Sequence, residues 1–388
     1  MAKRWGKDIF LGYIKMLEEE IARETNLDRL AYLEYSLCSL KGTYYSYFTN
    51  PIREIEKTSL RSQLYTIDYN LRIYPKYYEI IEEFFNRTSG LQKKNTESFK
   101  VSGSMPTNVF DSLTTTTLTV DEAIEGTRAF YSGFDRGINE RFKKIFAYRD
   151  KFLFTIPKKQ RNVFLDKKGN TGDSYFVSGL DKTFILVRDC ENEETFTSLV
   201  HEYGHAIKND YVPRYVTVDG GQNFFYEVES IFPEICASYD NPLGFGDGVV
   251  AASFFDRFQT YFDMADDLNS HRKISQLYAK KRYRVSDDFK KELEDYAELT
   301  KFGLDSSLDC EIDGDGVYVL SYIVALELFH IYKQDKKEAL RIFKEILKIK
   351  NPDDSLTRIK SLIRLNEHAA EECELAIDER TKVLSKVK

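Results

Sequence analysis

The spacing of hydrophobic residues predicts a chain built mostly from amphipathic helices. Residues 7–47 have helical periodicity that indicates two helices, with a break near Asn26. Pro75 has the fixed backbone angle that suits a first helical turn, so another helix is expected from there to about Asn86. The polar stretch at residues 91–108 lacks this periodicity and is interpreted as a linker.

The middle of the chain combines one long predicted helix with the only sustained strand signals. Thr119 and Glu122 have the spacing of a capping box, which predicts a helix from there to about Tyr148. Residues 152–188 have the β-rich composition of strands, with a turn predicted at 169–172.

The rest of the chain is helical by pattern. The helical signal resumes at Asn192 and is broken at Asn351-Pro352 near the C-terminus. We therefore predict a mainly α fold with a small β-sheet. An N-terminal helical region is expected at residues 1–115, followed by a catalytic region at residues 116–388.

One short segment carries the candidate chemistry. His201 and His205 are four residues apart in a helical stretch, so both imidazoles point from one helix face, with Glu202 beside them. Two such imidazoles can share a tetrahedral zinc ion, which lowers the pKa of a bound water to roughly 7 while the Glu accepts the proton. The alternative is an unrelated pair of histidines. Apolar residues at helical spacing around the motif favour a helix that runs through the core: Phe196, Leu199, Val200, Ala206 and Ile207.

The third zinc ligand is expected from a second helix. The extended pattern that ends in a third His would need Gly at position 208 and His at position 211, where this chain has Lys208 and Tyr211. That class is excluded. After a Gly220-Gly221 break, an apolar helix predicted over residues 224–239 carries three glutamates instead.

The spacing of these glutamates separates their predicted roles. Glu227, Ser230 and Glu234 fall on one helix face, whereas Glu229 is about 200° away from Glu227. Buried carboxylates need a partner, and a dication supplies one. We predict Glu227 as the third ligand and Glu234 as the residue that orients a ligating His. Glu229 is interpreted as a solvated or ion-paired surface acid.

These residues resemble the oligoendopeptidase F and thimet oligopeptidase family of zinc metallopeptidases. The family joins an H-E-x-G-H motif, here residues 201–205, to a ligand Glu in an F-x-E-x-x-S segment, here residues 225–230. The likeness covers roughly residues 115–335 and implies a multi-helical gluzincin fold, one zinc ion per chain and short peptides as substrates. The region before residue 115 is shorter than in the family, and Asp313 stands where the family often has a His.

Two tyrosines are candidates for stabilising the reaction's oxyanion. Tyr318 and Tyr322 lie on one predicted helix face, and the resemblance identifies their segment with the family's substrate tyrosines. Since the chain contains 26 Tyr, simple core packing is the alternative. The strand predicted at residues 183–187 could pair with an extended peptide at its edge, which makes Phe184, Ile185 and Leu186 candidate substrate-binding residues. The alternative is a buried structural strand.

Composition excludes several other classes of function. A net charge of −7 gives no footprint for nucleic acid, and the longest apolar run, residues 317–329, is too short to span a bilayer. The charged N-terminus lacks the apolar stretch of a signal peptide, and five dispersed cysteines are typical of reduced thiols. A cytoplasmic enzyme is therefore expected. The remaining histidines, His271, His330 and His368, are interpreted as structural or surface groups.

The sequence thus predicts a zinc-dependent oligopeptidase that hydrolyses internal bonds of short peptides with Glu202 as general base. Two alternatives stay open. One is a zinc carboxypeptidase or dipeptidase of related fold, and the other is a weakly active zinc-containing peptide-binding protein.

Overall fold

The computed structural model describes residues 3–4, 7–25, 33, 37, 40–41, 60–103, 107–158, 171–177, 182–211, 224–281, 284–299, 308, 312, 314–351 and 354–386. Its helices are α1 Lys7–Ile21, α2 Leu60–Ile73, α3 Pro75–Ser89, α4 Gln92–Gly103, α5 Thr107–Thr114, α6 Val120–Phe134, α7 Arg136–Phe146, α8 Arg149–Phe152, α9 Glu193–Tyr211, α10 Val228–Asp240, α11 Asp247–Lys280, α12 Asp287–Leu299, α13 Asp315–Gln334, α14 Lys336–Leu347, α15 Ser355–Leu362 and α16 Ala369–Ser385. Its strands are β1 Lys3–Arg4, β2 Leu153–Pro157, β3 Gly172–Val177 and β4 Lys182–Asp189.

The predicted fold class, mainly α with a small sheet ahead of the motif helix, is confirmed. The sheet has the strand order β1-β2-β4-β3, in which β4 pairs in parallel with β2 and antiparallel with β3. β4 ends at Asp189 and α9 begins at Glu193, so the sheet leads directly into the motif helix. In the turn between them, Thr195 Oγ1 accepts a hydrogen bond from Cys190 N and ties the strand to the helix.

Three helices pass through the main hydrophobic core. α9, α10 and α13 each bury most of their residues, and α9 packs on α10, which packs on α13. Among the described residues, α13 is the one helix with the length and apolar composition to cross a membrane, but 78% of that apolar stretch is buried in this protein. α13 is therefore a core helix, and its apolar composition is explained by its position.

The predicted long helix from Thr119 is two helices. The capping box is confirmed, because Thr119 Oγ1 accepts from Glu122 N while the Glu122 carboxylate accepts from Thr119 N. The first helix ends at Phe134, and Asp135 is extended. Its carboxylate accepts hydrogen bonds from the N–H groups of Gly137 and Ile138, which begins α7. Asp135, a residue type that favours the N-cap position, lies inside the continuous helical pattern and marks this break.

The linker interpretation of residues 91–108 is wrong for residues 92–103, which form α4, and for residues 107–108, which begin α5. Helix α4 packs against α16 through polar contacts: Lys94 Nζ pairs with Glu374 and Asp378, and Arg380 donates to the buried Ser98. A helix held by such contacts has a weak hydrophobic periodicity, which explains the error.

Other predictions fall partly outside the described residues. α3 begins at Pro75 as predicted and extends to Ser89. α1 ends at Ile21, while Asn26 and residues 169–170 of the predicted turn lie outside the described part of the chain. The region boundary at residue 115 stays a prediction.

Candidate metal centre

The motif helix α9 places its two histidines at one side of the core. The apolar residues flanking the motif are buried, and this fixes the rotation of the helix about its axis. His201 and His205 then point the same way, with ring centroids 5.0 Å apart and ring planes at 77°. The His201 side chain is 18% exposed, so the site opens toward solvent on its side.

Glu227 reaches the histidines from a turn rather than from within a helix. Residues 224–227 form a turn in which Val228 N donates to Phe225 O, and Glu227 is the residue before α10 begins. Ser230 Oγ donates to the carbonyl oxygen and to Oε2 of Glu227, at 2.9 and 2.8 Å. The hydroxyl therefore holds the carboxylate in one orientation.

The three predicted ligand side chains are brought together with the separations of a tetrahedral site. Glu227 Oε2 lies 3.2 Å from His201 Nε2 and 3.2 Å from His205 Nε2. Ligands at roughly 2.0–2.1 Å from a tetrahedral zinc lie about 3.3 Å from one another. Two imidazole nitrogens and one carboxylate oxygen are also the donor set of catalytic zinc sites, so these residues fit zinc.

Both imidazoles are oriented by a carboxylate on their other nitrogen. His201 Nδ1 lies 3.1 Å from Glu234 Oε2, and His205 Nδ1 lies 3.4 Å from Glu229 Oε1. Such contacts fix the ring and leave Nε2 for a metal. Glu234 is held in turn by Arg257 of α11, whose Nε and second nitrogen are both 2.8 Å from Glu234 Oε1. The sequence carries no local signal for Arg257, which is far along the chain from the motif.

The interpretation of Glu229 as a surface acid is wrong. Its side chain is 5% exposed and pairs with His205 inside the protein. The helical-wheel argument placed Glu227 and Glu229 on one helix with a fixed angle between them. The Glu227 backbone is helical, so the angle holds, but α10 is buried on nearly all sides and the face away from Glu227 also lies against protein. Glu227 and Glu229 reach the two different nitrogens of His205.

The ligand charges stabilise one another in the metal-free protein. Burial lowers the pKa of His205, but Glu227 and Glu229 outweigh it and raise the pKa to about 10. For His201, burial is outweighed by hydrogen bonds to Glu227 and Glu234, and its pKa lies well above the usual value. Burial raises the pKa of Glu227, but the two histidines bring it well below the usual range. Both imidazoles are thus cations paired with carboxylates at neutral pH.

Glu202 is buried beside the edge of the sheet. A Cβ at Gly172 would come within 2.6 Å of Glu202 Oε1, so the glycine at the start of β3 makes room for the carboxyl. Burial, only partly offset by the charges of His201 and His205, raises the pKa of Glu202 to about 7. A carboxyl with such a pKa can accept and return a proton near neutral pH.

The two predicted tyrosines do not lie in the same environment. Burial and then the charges of Glu227 and Glu202 raise the pKa of Tyr318. Tyr318 is thus a protonated phenol at the metal centre. Tyr226, which sequence reasoning missed, lies with its ring centroid 5.9 Å from that of His205.

Tyr322 belongs to the core rather than to the candidate site. It is 3% exposed, and its ring centroid is 4.4 Å from that of Tyr261. One turn of helix separates it from Tyr318, but α13 is buried on all sides at this point, so a shared face does not give both residues access to the site. The structure removes Tyr322 from the catalytic candidates.

The substrate-binding interpretation of Phe184, Ile185 and Leu186 is also wrong. β4 is hydrogen bonded to β2 on one side and to β3 on the other, so it has no edge to offer a peptide. The three side chains are buried in the core. In the described part of the chain, the outer strand on this side is β3, which also carries Gly172 next to Glu202.

The remaining histidines are placed as structural groups. His271 Nδ1 lies 2.9 Å from the buried Tyr78 hydroxyl. The His330 and His368 rings stack at 3.8 Å with planes 4° apart, near Glu371. Parallel rings direct their nitrogen lone pairs in parallel, so this second cluster does not converge on a metal. Asp313 lies outside the described residues.

Comparisons with known proteins agree with the predicted resemblance. No protein-family model matches the chain. The chain is 30% identical over 103 residues to an oligoendopeptidase F homolog of Mycoplasma pneumoniae, and this segment spans 26% of the chain and 15% of the homolog.

Solved structures show the same fold. A candidate peptidase from Chlamydophila abortus has a TM-score of 0.55 and 12% identity over 84% of this chain and 57% of its own. A candidate oligoendopeptidase F from Bacillus anthracis has a TM-score of 0.52 and 14% identity over 97% of this chain and 65% of its own. The chain therefore spans less than two thirds of each of these relatives. It has the fold of an oligoendopeptidase F-type peptidase, and its resemblance to the oligoendopeptidase F family is confirmed.

Proposed function

We propose that this protein is a zinc-dependent oligopeptidase that hydrolyses internal bonds of short peptides. Zinc is held by His201, His205 and Glu227, Glu202 is the general base and Tyr318 stabilises the oxyanion. The observation that carries the proposal is the pair of 3.2 Å separations from Glu227 Oε2 to the two imidazole Nε2 atoms. Each imidazole is also oriented by a carboxylate on Nδ1, as in catalytic zinc sites.

The protein residues divide the chemistry among them. The chemistry that zinc supplies when bound is a lowered pKa for water and polarisation of a carbonyl oxygen. Glu202 accepts the proton of the attacking water and returns it to the leaving amine. The Tyr318 hydroxyl donates a hydrogen bond to the oxyanion without bringing a charge of its own.

The position of the outer strand β3 favours a peptide as the substrate. Its backbone begins at Gly172, directly against the Glu202 carboxyl. A peptide that pairs with β3 in extended form therefore passes beside the general base, and backbone pairing is tolerant of side-chain sequence. The preference for short peptides follows from the family resemblance.

The state of the cysteine residues favours a location in a reducing compartment. Cys190, Cys236 and Cys373 are free and buried in the described part of the chain. A cytoplasmic enzyme is consistent with these reduced residues, and we include that location in the proposal.

The test is to incubate the zinc-loaded protein with a mixed pool of synthetic peptides and to identify the products by mass spectrometry. The Glu202→Gln protein, loaded with zinc in the same way, is the control for contaminating proteases. Internal cuts that this variant does not make support the proposal. Release of terminal residues alone selects the carboxypeptidase or dipeptidase. Peptides that bind but stay intact select a binding protein.

A further inference from the structure

The two imidazoles of the candidate metal centre differ in their exposure and in how closely each is held. The side chain of His201 is 18% exposed and that of His205 is 9% exposed, so His201 lies at the open side of the site. His201 nonetheless has the shorter contact with its orienting carboxylate, 3.1 Å to Glu234 compared with 3.4 Å from His205 to Glu229. The imidazole that solvent can reach therefore has the closer partner.

Arg257 fixes the Glu234 carboxylate in one orientation. Its Nε and Nη2 atoms each lie 2.8 Å from Glu234 Oε1, which leaves Oε2 for His201 Nδ1. Rotation of the carboxylate would break the contacts on both of its oxygens. Because a carboxylate can only accept, Oε2 takes the hydrogen bond of Nδ1–H, and Nε2 of His201 is left to bind a metal.

The guanidinium of Arg257 is itself held by two helices. Nη1 donates to Ser253 Oγ, one turn earlier on α11, at 2.8 Å and to Ser238 Oγ of α10 at 3.2 Å. Ser238 Oγ in turn donates to the carbonyl oxygen of Glu234. The Arg257 side chain is only 10% exposed, so little water competes for these hydrogen bonds.

We propose that Arg257 is a positioning residue that keeps His201 on the metal by acting through Glu234. An imidazole near solvent leaves a metal by rotating about its side-chain bonds, and the contact with Glu234 opposes that rotation. Loss of Arg257 should therefore speed the release of zinc, whereas zinc entry should change little because the open side of the site is unaltered. This inference rests on the zinc site of the proposed function.

The first test measures how fast zinc leaves the protein in excess chelator. We expect release from Arg257→Gln to be roughly 10- to 100-fold faster than from wild type. Arg257→Lys keeps the charge but loses the planar fork, so its rate should lie between the two. The matched control is Arg272→Gln on the same helix, which loses an ion pair with Glu82 and should release zinc at the wild-type rate. A wild-type rate in Arg257→Gln overturns the proposal.

A double-mutant cycle shows whether Arg257 acts through Glu234. Because both residues act on one imidazole, Glu234→Gln combined with Arg257→Gln should release zinc no faster than Glu234→Gln alone. Losses that multiply in the double variant overturn the proposal. Arg257→Gln leaves the Glu234 carboxylate buried without its cation, which costs stability. If that variant does not fold, Arg257→Lys takes its place in the cycle, and unchanged release from it then overturns the proposal.

A spectroscopic readout separates positioning of His201 from a general loss of structure. The chain has 5 His, so isotope labelling of the imidazole nitrogens gives few signals in magnetic resonance spectra. Glu234→Gln and Glu229→Gln each change the partner of one ring and so assign the two signals. In zinc-loaded Arg257→Gln we expect the His201 signals to shift and those of His205 to stay nearly unchanged. Equal shifts at both rings would show a general rearrangement and overturn the proposal.

These measurements need bound zinc but no turnover. If the zinc-loaded protein cleaves no peptide but Arg257→Gln releases zinc faster, the proposed function has failed and the role of Arg257 stands. If the protein cleaves peptides and Arg257→Gln retains zinc as wild type does, the role of Arg257 is wrong and the proposed function stands. A wild-type protein that binds no zinc overturns both.

Discussion

Gly204 lies against the backbone of Glu229 where α9 crosses α10. A Cβ at position 204 would overlap the Glu229 carbonyl oxygen and lie 2.8 Å from Ser230 Cα. That carbonyl would normally accept from the N–H four residues later, but residue 233 is proline and has none. The glycine of the motif thus lets the two helices approach closely enough for His205 and Glu227 to meet.

Gly204→Ala should destabilise the protein by roughly 2–3 kcal/mol, because the two helices must separate to admit a methyl group. Zinc affinity should fall with it, since the histidines and Glu227 belong to opposite sides of this contact. Thermal melts and a zinc competition assay measure the two effects. The matched control is Gly12→Ala in the exposed interior of α1, where a Cβ meets open space, and a gain of about 0.5–1 kcal/mol is expected. Equal melts for both variants would contradict the close-packing argument.

Glu202→Gln should reduce peptide hydrolysis by roughly a hundred- to ten-thousand-fold while zinc stays bound. The amide has the shape of the carboxyl beside Gly172 but cannot accept a proton from water. Metal analysis and hydrolysis on the same sample provide the measurement. Joint loss of zinc and activity would show that Glu202 is not the base.

The glutamates around the histidines should differ in their effect on metal binding. Glu227→Ala should abolish stoichiometric zinc, because it leaves two imidazoles as ligands. Glu229→Ala and Glu234→Ala should each retain one zinc with affinity lowered about 10- to 100-fold, since the imidazoles lose their orienting partners. Titration against a chelator gives the affinities, with Glu140→Ala on the surface as control. Wild-type affinity in Glu229→Ala would show that its contact with His205 has no role in binding.

Substitution of Tyr318 should change the kinetics of hydrolysis, whereas substitution of Tyr322 should change the stability of the protein. Tyr318→Phe should lower kcat by roughly ten- to a thousand-fold with little effect on peptide binding. Tyr322→Phe removes a hydroxyl buried in the core, so it should change the melting temperature and leave kcat within about two-fold. Steady-state kinetics beside a melt distinguishes them. A lower kcat for Tyr322→Phe with an unchanged melting temperature would show that Tyr322 acts in the site.

The pH dependence of stability should differ between metal-free and zinc-loaded protein. The pKa of His205 is about 10 in the folded metal-free chain and 6.5 in its unfolded reference, so the folded state holds this proton more tightly. That stabilisation is complete below pH 6.5 and is lost as pH rises to 10. Zinc displaces the proton and binds more tightly as pH rises. The melting temperatures of the two forms should therefore diverge from pH 7 to 9.5, and parallel curves would contradict the pairing of His205 with its carboxylates.

The sequence predicted the parts of the site that depend on local spacing. His201 and His205 share a face because α9 is a regular helix with its apolar side in the core, and the same periodicity predicted α9, α10 and α13. Glu229 was misassigned because a helical wheel shows which residues face apart but not whether the opposite face meets solvent, and α10 is buried on nearly all sides.

Other features depend on contacts that no local pattern carries. Arg257 joins the site from α11, and its pairing with Glu234 depends on how three helices pack. The sequence of β4 is typical of a strand, but its central position in the sheet depends on pairing with β2 and β3, which the sequence of β4 does not show. Tyr322 has the spacing of a site residue and is removed from the site by the burial of α13 on all sides.

All the proposed metal ligands, with Glu229 and Glu234, come from α9 and from the segment that begins at Glu227. A zinc ion at this position would act as a cross-link between two neighbouring helices of the chain, so its binding energy would oppose the opening of that pair above all. Chelation should then raise amide hydrogen exchange in α9 and α10 while α16, which lies beside α4 and α11, exchanges as before. The metal centre would be a local clamp on the helix pair that carries the chemistry.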